Sequence, residues 1–294
     1  MKTFNAMSRA VRYGSLMIVA GMGLSGVAQA QEDSKGTVTL AYVEWASEVA
    51  STNVVRAILE DMGYEVDMAS LSAAAMWQSV ASGDADGMVA AWLPTTHASY
   101  LERTKDQLVD LGPNLVGTKL GLVVPAYTEL SSIDQLDDKA EMIDGEIIGI
   151  DPGAGLMGLT EEVLTEYQLE DSIDLKSSSG ATMAAALETA INNEQDIVVT
   201  GWTPHWMFAR WDLKYLDDPK NVYGGAEEIH TVVRQGLEED MPEVYTFLDN
   251  FEWTPDQMGE VMLMNQEEGS DPYANAQQWV EENPDVVAKW TGES

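Results

Sequence analysis

The chain has 294 residues and a formal net charge of −35, with 50 acidic residues against 15 Lys and Arg. This charge argues against a nucleic-acid partner, because neutralising phosphates requires clustered basic side chains. The sequence contains no cysteine, so we expect neither disulfide bonds nor a lipid-bearing N-terminal cysteine.

The first thirty residues have the three parts of a secretory signal peptide. Three basic residues precede an apolar stretch at about 15–27, and Ala28-Gln29-Ala30 forms an A-x-A cleavage site. An N-terminal membrane anchor is the alternative, but the apolar stretch is shorter than the ~20 residues that a spanning helix needs. We therefore predict a signal peptide at 1–30, no later spanning segment, and a protein of the bacterial periplasm.

The acidic residues predict a salt-dependent stability. Loss of residues 1–30 removes three basic residues and no acid, so the formal charge falls from −35 to −38. Repulsion among the acids destabilises the folded state at low salt and is screened at high salt. We expect the melting temperature to rise between low and molar salt, as suits a saline habitat. An unchanged melting temperature would contradict this expectation.

The first part of the sequence alternates strands and helices. The predicted elements are a strand from Thr37, a helix opening near Ser51 or Thr52, a strand at 65–71, a helix closed by Gly83 and a strand at 86–91. Trp45 falls in the loop after the first of these strands. Trp92 follows the third.

A second segment repeats this order. The predicted elements are a strand at 146–150, a helix from Leu156 or Met157, a strand at 172–179, a helix at 181–194 and a strand at 196–200. Gly155 lies in the loop after the first of these strands, and Trp202 follows the last. The interval from Trp45 to Trp92 equals that from Gly155 to Trp202, at 47 residues (92 − 45 and 202 − 155).

This repeat predicts an α/β fold with mostly parallel sheets, in which ligands bind at the carboxyl ends of the strands. Each βαβαβ unit would form one lobe, with the ligand in the cleft between the two lobes. We expect lobe 1 at 31–123 and 220–294 and lobe 2 at 124–219. Crossings between lobes are predicted at 121–127 and near 214–219.

Motifs of catalysis are missing from the sequence. There is no G-x-S-x-G or H-E-x-x-H motif, and only three histidines occur. The glycine-rich segment 151–155 lacks the Lys-Ser/Thr of a phosphate-binding loop. An enzyme is therefore the weaker alternative, and we expect neither a cofactor nor a metal ion.

Trp45, Trp92 and Trp202 differ from the other tryptophans because each stands where a predicted strand meets its loop. Three indole faces around one point suit a bulky cation, and each contributes ~1 to 2 kcal/mol when the cation is desolvated. A trimethylammonium group fits because it has no N–H to leave unsatisfied in a dry pocket. Tryptophans that line an interlobe hinge are the alternative. Those expected to be packing residues are Trp77, Trp253, Trp279 and Trp290.

The binding site for the opposite, anionic end of such a ligand is predicted at Gly155 and Leu156, where a loop turns into a helix. Free backbone N–H groups at a helix N-terminus bind anions, and glycine permits close approach. His97 offers an N–H donor from the other lobe, with a surface histidine that caps a helix as the alternative. Together these groups predict a zwitterion with a quaternary nitrogen and a carboxylate.

Five segments resemble the substrate-binding proteins of ABC transporters for glycine betaine and related osmoprotectants, and the resemblance covers nearly all of the chain after residue 30. They are AYVEWASEVASTNV, AAWLPTTH, IIGIDPGAGLMGLT, GWTPHWMFARWDLKYLDDP and GGAEEIHTVVRQG. The resemblance implies a two-lobed periplasmic binding protein fold of a type II-like kind. Some relatives carry the two halves in the opposite order, so their lobe boundaries do not transfer.

The resemblance also implies roles for individual residues. It assigns the tryptophan cage to Trp45, Trp92 and Trp202. It assigns the ligand carboxylate to His97 and to the backbone amides of Gly155 and Leu156. Some relatives have isoleucine where this chain has leucine, a difference that a backbone contact tolerates.

The implied function is capture of glycine betaine, and also of proline betaine, for an ABC permease driven by an ATPase. The protein would be a monomer that meets the membrane only through the permease. A choline or carnitine binder is the alternative within this class, and the carboxylate contacts weigh against choline. Alternatives of other classes are an extracytoplasmic enzyme with His97 as its base and a sensor adaptor of the same fold.

Overall fold

A computed structural model describes residues 34–292, so the predicted signal peptide lies outside the described residues. The strands in this range are β1 Thr37–Tyr42, β2 Glu65–Ser70, β3 Gly87–Leu93, β4 Leu108–Pro125, β5 Glu146–Ile148, β6 Asp174–Lys176, β7 Val198–Thr203, β8 Leu213–Tyr215 and β9 Glu227–Arg234.

The α-helices in the same range are α1 Ala46–Asp61, α2 Ala73–Ser82, α3 Ala98–Thr104, α4 Gly155–Glu166, α5 Gly180–Asn192, α6 Met207–Arg210, α7 Leu237–Asp240, α8 Pro242–Asn250, α9 Pro255–Met264, α10 Pro272–Glu282 and α11 Pro284–Thr291. Two short 3-10 helices cover Ile133–Gln135 and Ala140–Ile143. None of the helices within 34–292 is long and apolar enough to cross a bilayer.

The strands form one mixed sheet in the order β2-β1-β3-β9-β4-β7-β5-β6, and β8 pairs with β4. β1 pairs in parallel with β2 and β3, and β5 pairs in parallel with β6 and β7. These two parallel trios and the helices between their strands are the two predicted βαβαβ units. The predicted α/β fold is therefore confirmed.

The long strand β4 joins the two ends of the sheet. Its first part, as far as Thr118, pairs with β9, and its second part, from Lys119, pairs with β7. We call the side with β1, β2, β3 and β9 lobe 1, and the side with β5, β6, β7 and β8 lobe 2. The chain returns to lobe 1 through 217–226. The predicted lobe boundaries, after 123 and after 219, remain predictions; the first lies within β4 and the second within this return segment.

The predicted start of the first helix is wrong, because α1 begins at Ala46 and not near Ser51. Trp45 occupies the N-cap position with extended backbone angles, so the helix opens directly after it. Ser47 and Glu48 in the first turn are buried although they are polar. Apolar periodicity does not identify a helical turn whose buried residues are polar.

The antiparallel strands also differ from the prediction. β4 begins at Leu108, well before the predicted crossing at 121–127, and β9 is not part of the predicted strands. Gly112 and Gly117 have positive φ angles, and the β4–β9 register shifts three times along this pairing. Glycines in such conformations resemble turn signals in a sequence, although they mark irregularities within one strand.

Four helices at the C-terminus, α8 to α11, complete lobe 1. Each has a proline at its start, where the missing N–H costs no helical hydrogen bond. Trp253, Trp279 and Trp290 pack with Phe247 and Phe251 in one buried aromatic cluster, as expected for packing residues. α9 and α10 pack against α1 and so hold the helix that follows Trp45.

Candidate functional site

A cavity lies between the two lobes. Its lining comes from both lobes and consists of Trp45, Trp92, Thr96, Leu120, Ile150, Ala154, Gly155, Leu156 and Trp202. Five of the six predicted site residues therefore lie around one cavity. The sixth, His97, is buried beside it.

The fold brings the three tryptophans together because of where they stand on the strands. Trp92 is near the end of β3, a strand in which every residue is buried, and Trp202 is near the end of β7. Trp45 lies in the short loop after β1 and occupies the N-cap position of α1. Both of the Trp-x-Pro segments have a cis peptide bond before the proline, at Pro94 and at Pro204.

Each indole N–H of the three tryptophans has a hydrogen-bond acceptor. The Trp45 Nε1 donates to Asp151 at 2.8 Å, and the Trp202 Nε1 donates to the Ser47 hydroxyl at 3.1 Å. The Trp92 Nε1 donates to Glu48 at 2.6 Å. The first two bonds join lobe 1 to lobe 2. Because all three N–H groups are occupied, the indoles contribute ring carbon surface to the cavity.

Gly155 and Leu156 are the first two residues of α4, and no side chain caps this helix. Among the described residues, their backbone N–H groups have no acceptor. The first N–H groups of a helix carry a partial positive charge and lack intrahelical partners. This end of the cavity can therefore hold an anion.

Gly155 also lies very close to lobe 1. A Cβ atom built on it would be 2.2 Å from the Thr96 carbonyl oxygen, a distance that real Cβ atoms do not adopt. Only glycine lets α4 approach the segment after β3 this closely. The identity of residue 155 therefore limits how far the cleft can close.

His97 has one free ring nitrogen in this arrangement. Its Nδ1 accepts the backbone N–H of Trp92 at 3.1 Å, so the neutral ring carries its proton on Nε2. The Nε2 is buried and has no partner among the described residues. Burial lowers the pKa of His97 to about 3, so the ring is neutral at physiological pH. A donor without an acceptor thus remains beside the cavity.

The alternative reading of His97 as a surface residue is wrong, although His97 does occupy the N-cap position of α3. The ring is fully buried and its side chain makes no cap hydrogen bond to α3. The imidazole lies 5.9 Å from the Trp45 ring and meets Trp77 edge to face at 5.9 Å. Trp77 and Trp45 therefore fix the position of this ring from two sides.

Several residues around the cavity were not predicted. Glu227 of β9 is fully buried, and its carboxylate accepts the backbone N–H groups of Thr95 and Thr96 as well as the Thr96 hydroxyl. It fixes the segment that lines the cavity after β3. Glu48 supports Trp92 in a similar way. Both acids lie in the segments that carry the family resemblance, but 50 acidic residues make two of them inconspicuous.

Comparisons with known proteins identify the family of this chain. Residues 36–282 match the family described as the substrate binding domain of ABC-type glycine betaine transport systems. The glycine betaine/carnitine transport binding protein of Listeria monocytogenes is 52% identical over 165 residues. That alignment covers 56% of this chain and 55% of the relative, so the match spans about half of the relative's length.

Solved structures are similar over most of the chain. A lactococcal binding protein in its closed form with glycine betaine is 44% identical, with a TM-score of 0.83, covering 87% of this chain and 99% of that one. A glycine betaine/L-proline-binding protein of Borrelia burgdorferi is 41% identical, with a TM-score of 0.84, covering 86% and 96%. An ABC-transporter choline binding protein with bound choline is 29% identical, with a TM-score of 0.81, covering 87% and 92%.

These similarities confirm the two-lobed binding protein fold. The similar proteins are extracytoplasmic substrate-binding components of transporters and are not enzymes. Because the family match covers most of its length, the chain belongs to the family of substrate-binding domains of ABC-type glycine betaine transport systems.

Proposed function

We propose that this protein binds glycine betaine, and also proline betaine, in the cavity between its lobes and delivers it to an ABC permease driven by an ATPase. The observation that carries the proposal is the pairing of two opposite chemistries in one cavity. Three buried indoles line one part of it, and free N–H donors of α4 lie at another. A small zwitterion satisfies both.

The quaternary ammonium group, trimethylated in glycine betaine and dimethylated in proline betaine, is assigned to Trp45, Trp92 and Trp202. A quaternary nitrogen carries no N–H, so it loses no hydrogen bond when it leaves water for a dry aromatic pocket. Its charge is attracted to the negative faces of the indole rings. Glycine betaine, carnitine and choline, which are named for similar proteins, contain a quaternary nitrogen, whereas L-proline, named for the Borrelia burgdorferi protein, does not.

The carboxylate is assigned to the backbone N–H groups of Gly155 and Leu156 and to the Nε2 of His97. Hydrogen bonds from such donors to an ionised acceptor are about twice as strong as those between neutral groups. A buried donor left without an acceptor is costly. A ligand carboxylate removes this cost for all three donors, so it favours the closed form in which they converge.

Choline or carnitine remains the alternative ligand. Choline has a hydroxyl where glycine betaine has a carboxylate, and would leave several of the three donors without a charged acceptor. Carnitine has the carboxylate but is longer than glycine betaine, so its carboxylate would reach a different point when its quaternary nitrogen lies between the tryptophans. We therefore expect glycine betaine to bind more tightly than either compound.

Calorimetric titration of the chain from residue 31 with glycine betaine, proline betaine, carnitine, choline and ectoine tests the proposal. We expect glycine betaine to bind at least about 10-fold more tightly than choline, which corresponds to about 1.4 kcal/mol or more. Ectoine has a carboxylate but no quaternary nitrogen, so it serves as the control ligand. Tighter binding of choline than of glycine betaine would contradict the assignment of the carboxylate.

The periplasm, a monomeric state and the permease partner belong to the same proposal. The A-x-A site and the family membership support export and delivery to a permease. Transport assays in a strain that lacks its own betaine uptake would test delivery, if the permease genes are supplied with and without this chain. Uptake that does not depend on the chain would contradict that role.

A further inference from the structure

A buried carboxylate stands directly behind the tryptophan cage. Glu48 lies in the first turn of α1 and is 1% exposed. Its Oε1 accepts the Trp92 indole N–H at 2.6 Å, and its Oε2 accepts the Ser47 hydroxyl at 2.5 Å. No Lys or Arg forms an ion pair with it among the described residues. The charge of this carboxylate is therefore not neutralised by a neighbouring cation of the protein.

The same carboxylate is connected to lobe 2. The Ser47 hydroxyl, which donates to Glu48, accepts the Trp202 indole N–H at 3.1 Å. Hydrogen bonds therefore run from Trp202 to Ser47 and from Ser47 to Glu48. A separate hydrogen bond runs from Trp92 to Glu48. Glu48 thus accepts one indole N–H directly and is connected through Ser47 to an indole of the opposite lobe. The Trp202 bond can form only when the lobes are together.

We propose that Glu48 is a positioning residue that orients Trp92 directly and Trp202 through Ser47, and that its negative charge makes the cage select a cationic head group. The inference rests on the proposed betaine site. In a low-dielectric pocket a carboxylate behind the indoles attracts a cation held in front of them. Donation of an indole N–H to a carboxylate also polarises the ring towards a more negative face.

The ionisation of Glu48 follows from its surroundings. Burial raises the pKa of Glu48 to about 7, the hydrogen bonds from Ser47 and Trp92 lower it, and the charge of Asp151 raises it. A cation in the cage favours the ionised form, so it lowers this pKa in the complex. Linkage then requires ligand affinity to fall as the pH is lowered through about 7, because protonation removes the charge that the ligand needs.

Two buried histidines that contact the cage tryptophans do not account for such a pH dependence. Burial lowers the pKa of His97, and that of His205, whose ring meets Trp202 edge to face, to about 3, so both stay neutral across the range in question. Asp151, which accepts the Trp45 indole N–H, is the other charged group that acts on Glu48. His230 lies away from the cavity, beside Asp110 on the pair β4 and β9.

The test is calorimetric titration of glycine betaine at several pH values between 5.5 and 8.5. We expect wild-type affinity to be about 10-fold weaker at pH 5.5 than at pH 8.5. Glu48→Gln keeps the size of the side chain and removes the charge. It should bind about 10-fold more weakly than wild type at pH 8.5 and show no pH dependence. Ser47→Ala should bind about 3- to 10-fold more weakly and keep the pH dependence, because the carboxylate remains.

The matched control is Ser51→Ala, also on α1. Ser51 is buried, and its hydroxyl bonds only to the backbone carbonyl of Glu48. Ser51→Ala should bind glycine betaine with the affinity of wild type. A Glu48→Gln variant with wild-type affinity, or with the wild-type pH profile, would overturn the inference. If this variant does not fold, a flat wild-type pH profile or wild-type binding by Ser47→Ala overturns it instead.

The same titrations separate this inference from the proposed function. A wild-type protein that binds no betaine at any pH contradicts the proposed function itself. The role of Glu48 alone is contradicted if wild type binds betaine with an affinity that does not change with pH and Glu48→Gln binds it equally well.

Discussion

Replacement of Gly155 by alanine should weaken glycine betaine binding by about 5- to 150-fold while the protein remains folded. The added methyl group would meet the Thr96 carbonyl oxygen at 2.2 Å, and a backbone atom cannot move aside as a flexible side chain can. Overpacking of this kind costs about 1 to 3 kcal/mol. The cost falls on the closed form, since the two atoms come from opposite lobes.

The measurement for Gly155→Ala is calorimetric titration with a parallel melting curve. Gly158→Ala is the matched control, because it changes the same helix and its added Cβ meets no atom within 4 Å. Alanine favours helix formation over glycine, so neither variant should melt earlier in the absence of ligand. Equal affinities of the two variants would show that the approach of Gly155 to Thr96 does not control binding.

Removal of the cage aromatics is the second large expected effect. Trp45→Ala, Trp92→Ala and Trp202→Ala should each weaken glycine betaine binding by about 5- to 30-fold, as expected for loss of ~1 to 2 kcal/mol of cation–π attraction per ring. Trp92→Phe keeps an aromatic face but loses the N–H that reaches Glu48. The glycine betaine affinity of Trp92→Phe should lie between the affinities of wild type and Trp92→Ala.

The control for the cage variants is Trp211→Ala. Trp211 is a partly buried tryptophan that packs on Trp206 and does not line the cavity. Its removal should leave betaine affinity within about 3-fold of wild type. If the three cage variants all bind like Trp211→Ala, the assignment of the quaternary ammonium to the tryptophans is wrong.

Much of the fold could be predicted because its two βαβαβ units leave strong periodic signals. α2 ends at Gly83 in a left-handed conformation, as its sequence predicts, and β3 follows the predicted range closely. The predictions failed where polar or glycine residues serve the tertiary structure. The first turn of α1 was missed because Ser47 and Glu48 face the cage, and β9 was missed because Glu227 and Thr231 interrupt its apolar pattern.

The positions of the site residues were determined by the sequence, because the residues that follow parallel strands gather at one edge of a sheet. That rule is local, so it identified Trp45, Trp92, Trp202 and Gly155 without any knowledge of their partners. The hydrogen-bond acceptors of these side chains, in contrast, were decided only by the tertiary structure. The Trp45 N–H meets an acceptor 106 residues away and the Trp202 N–H one 155 residues away. Contacts over such separations depend on how the two lobes close on each other, and no periodic pattern records that closure.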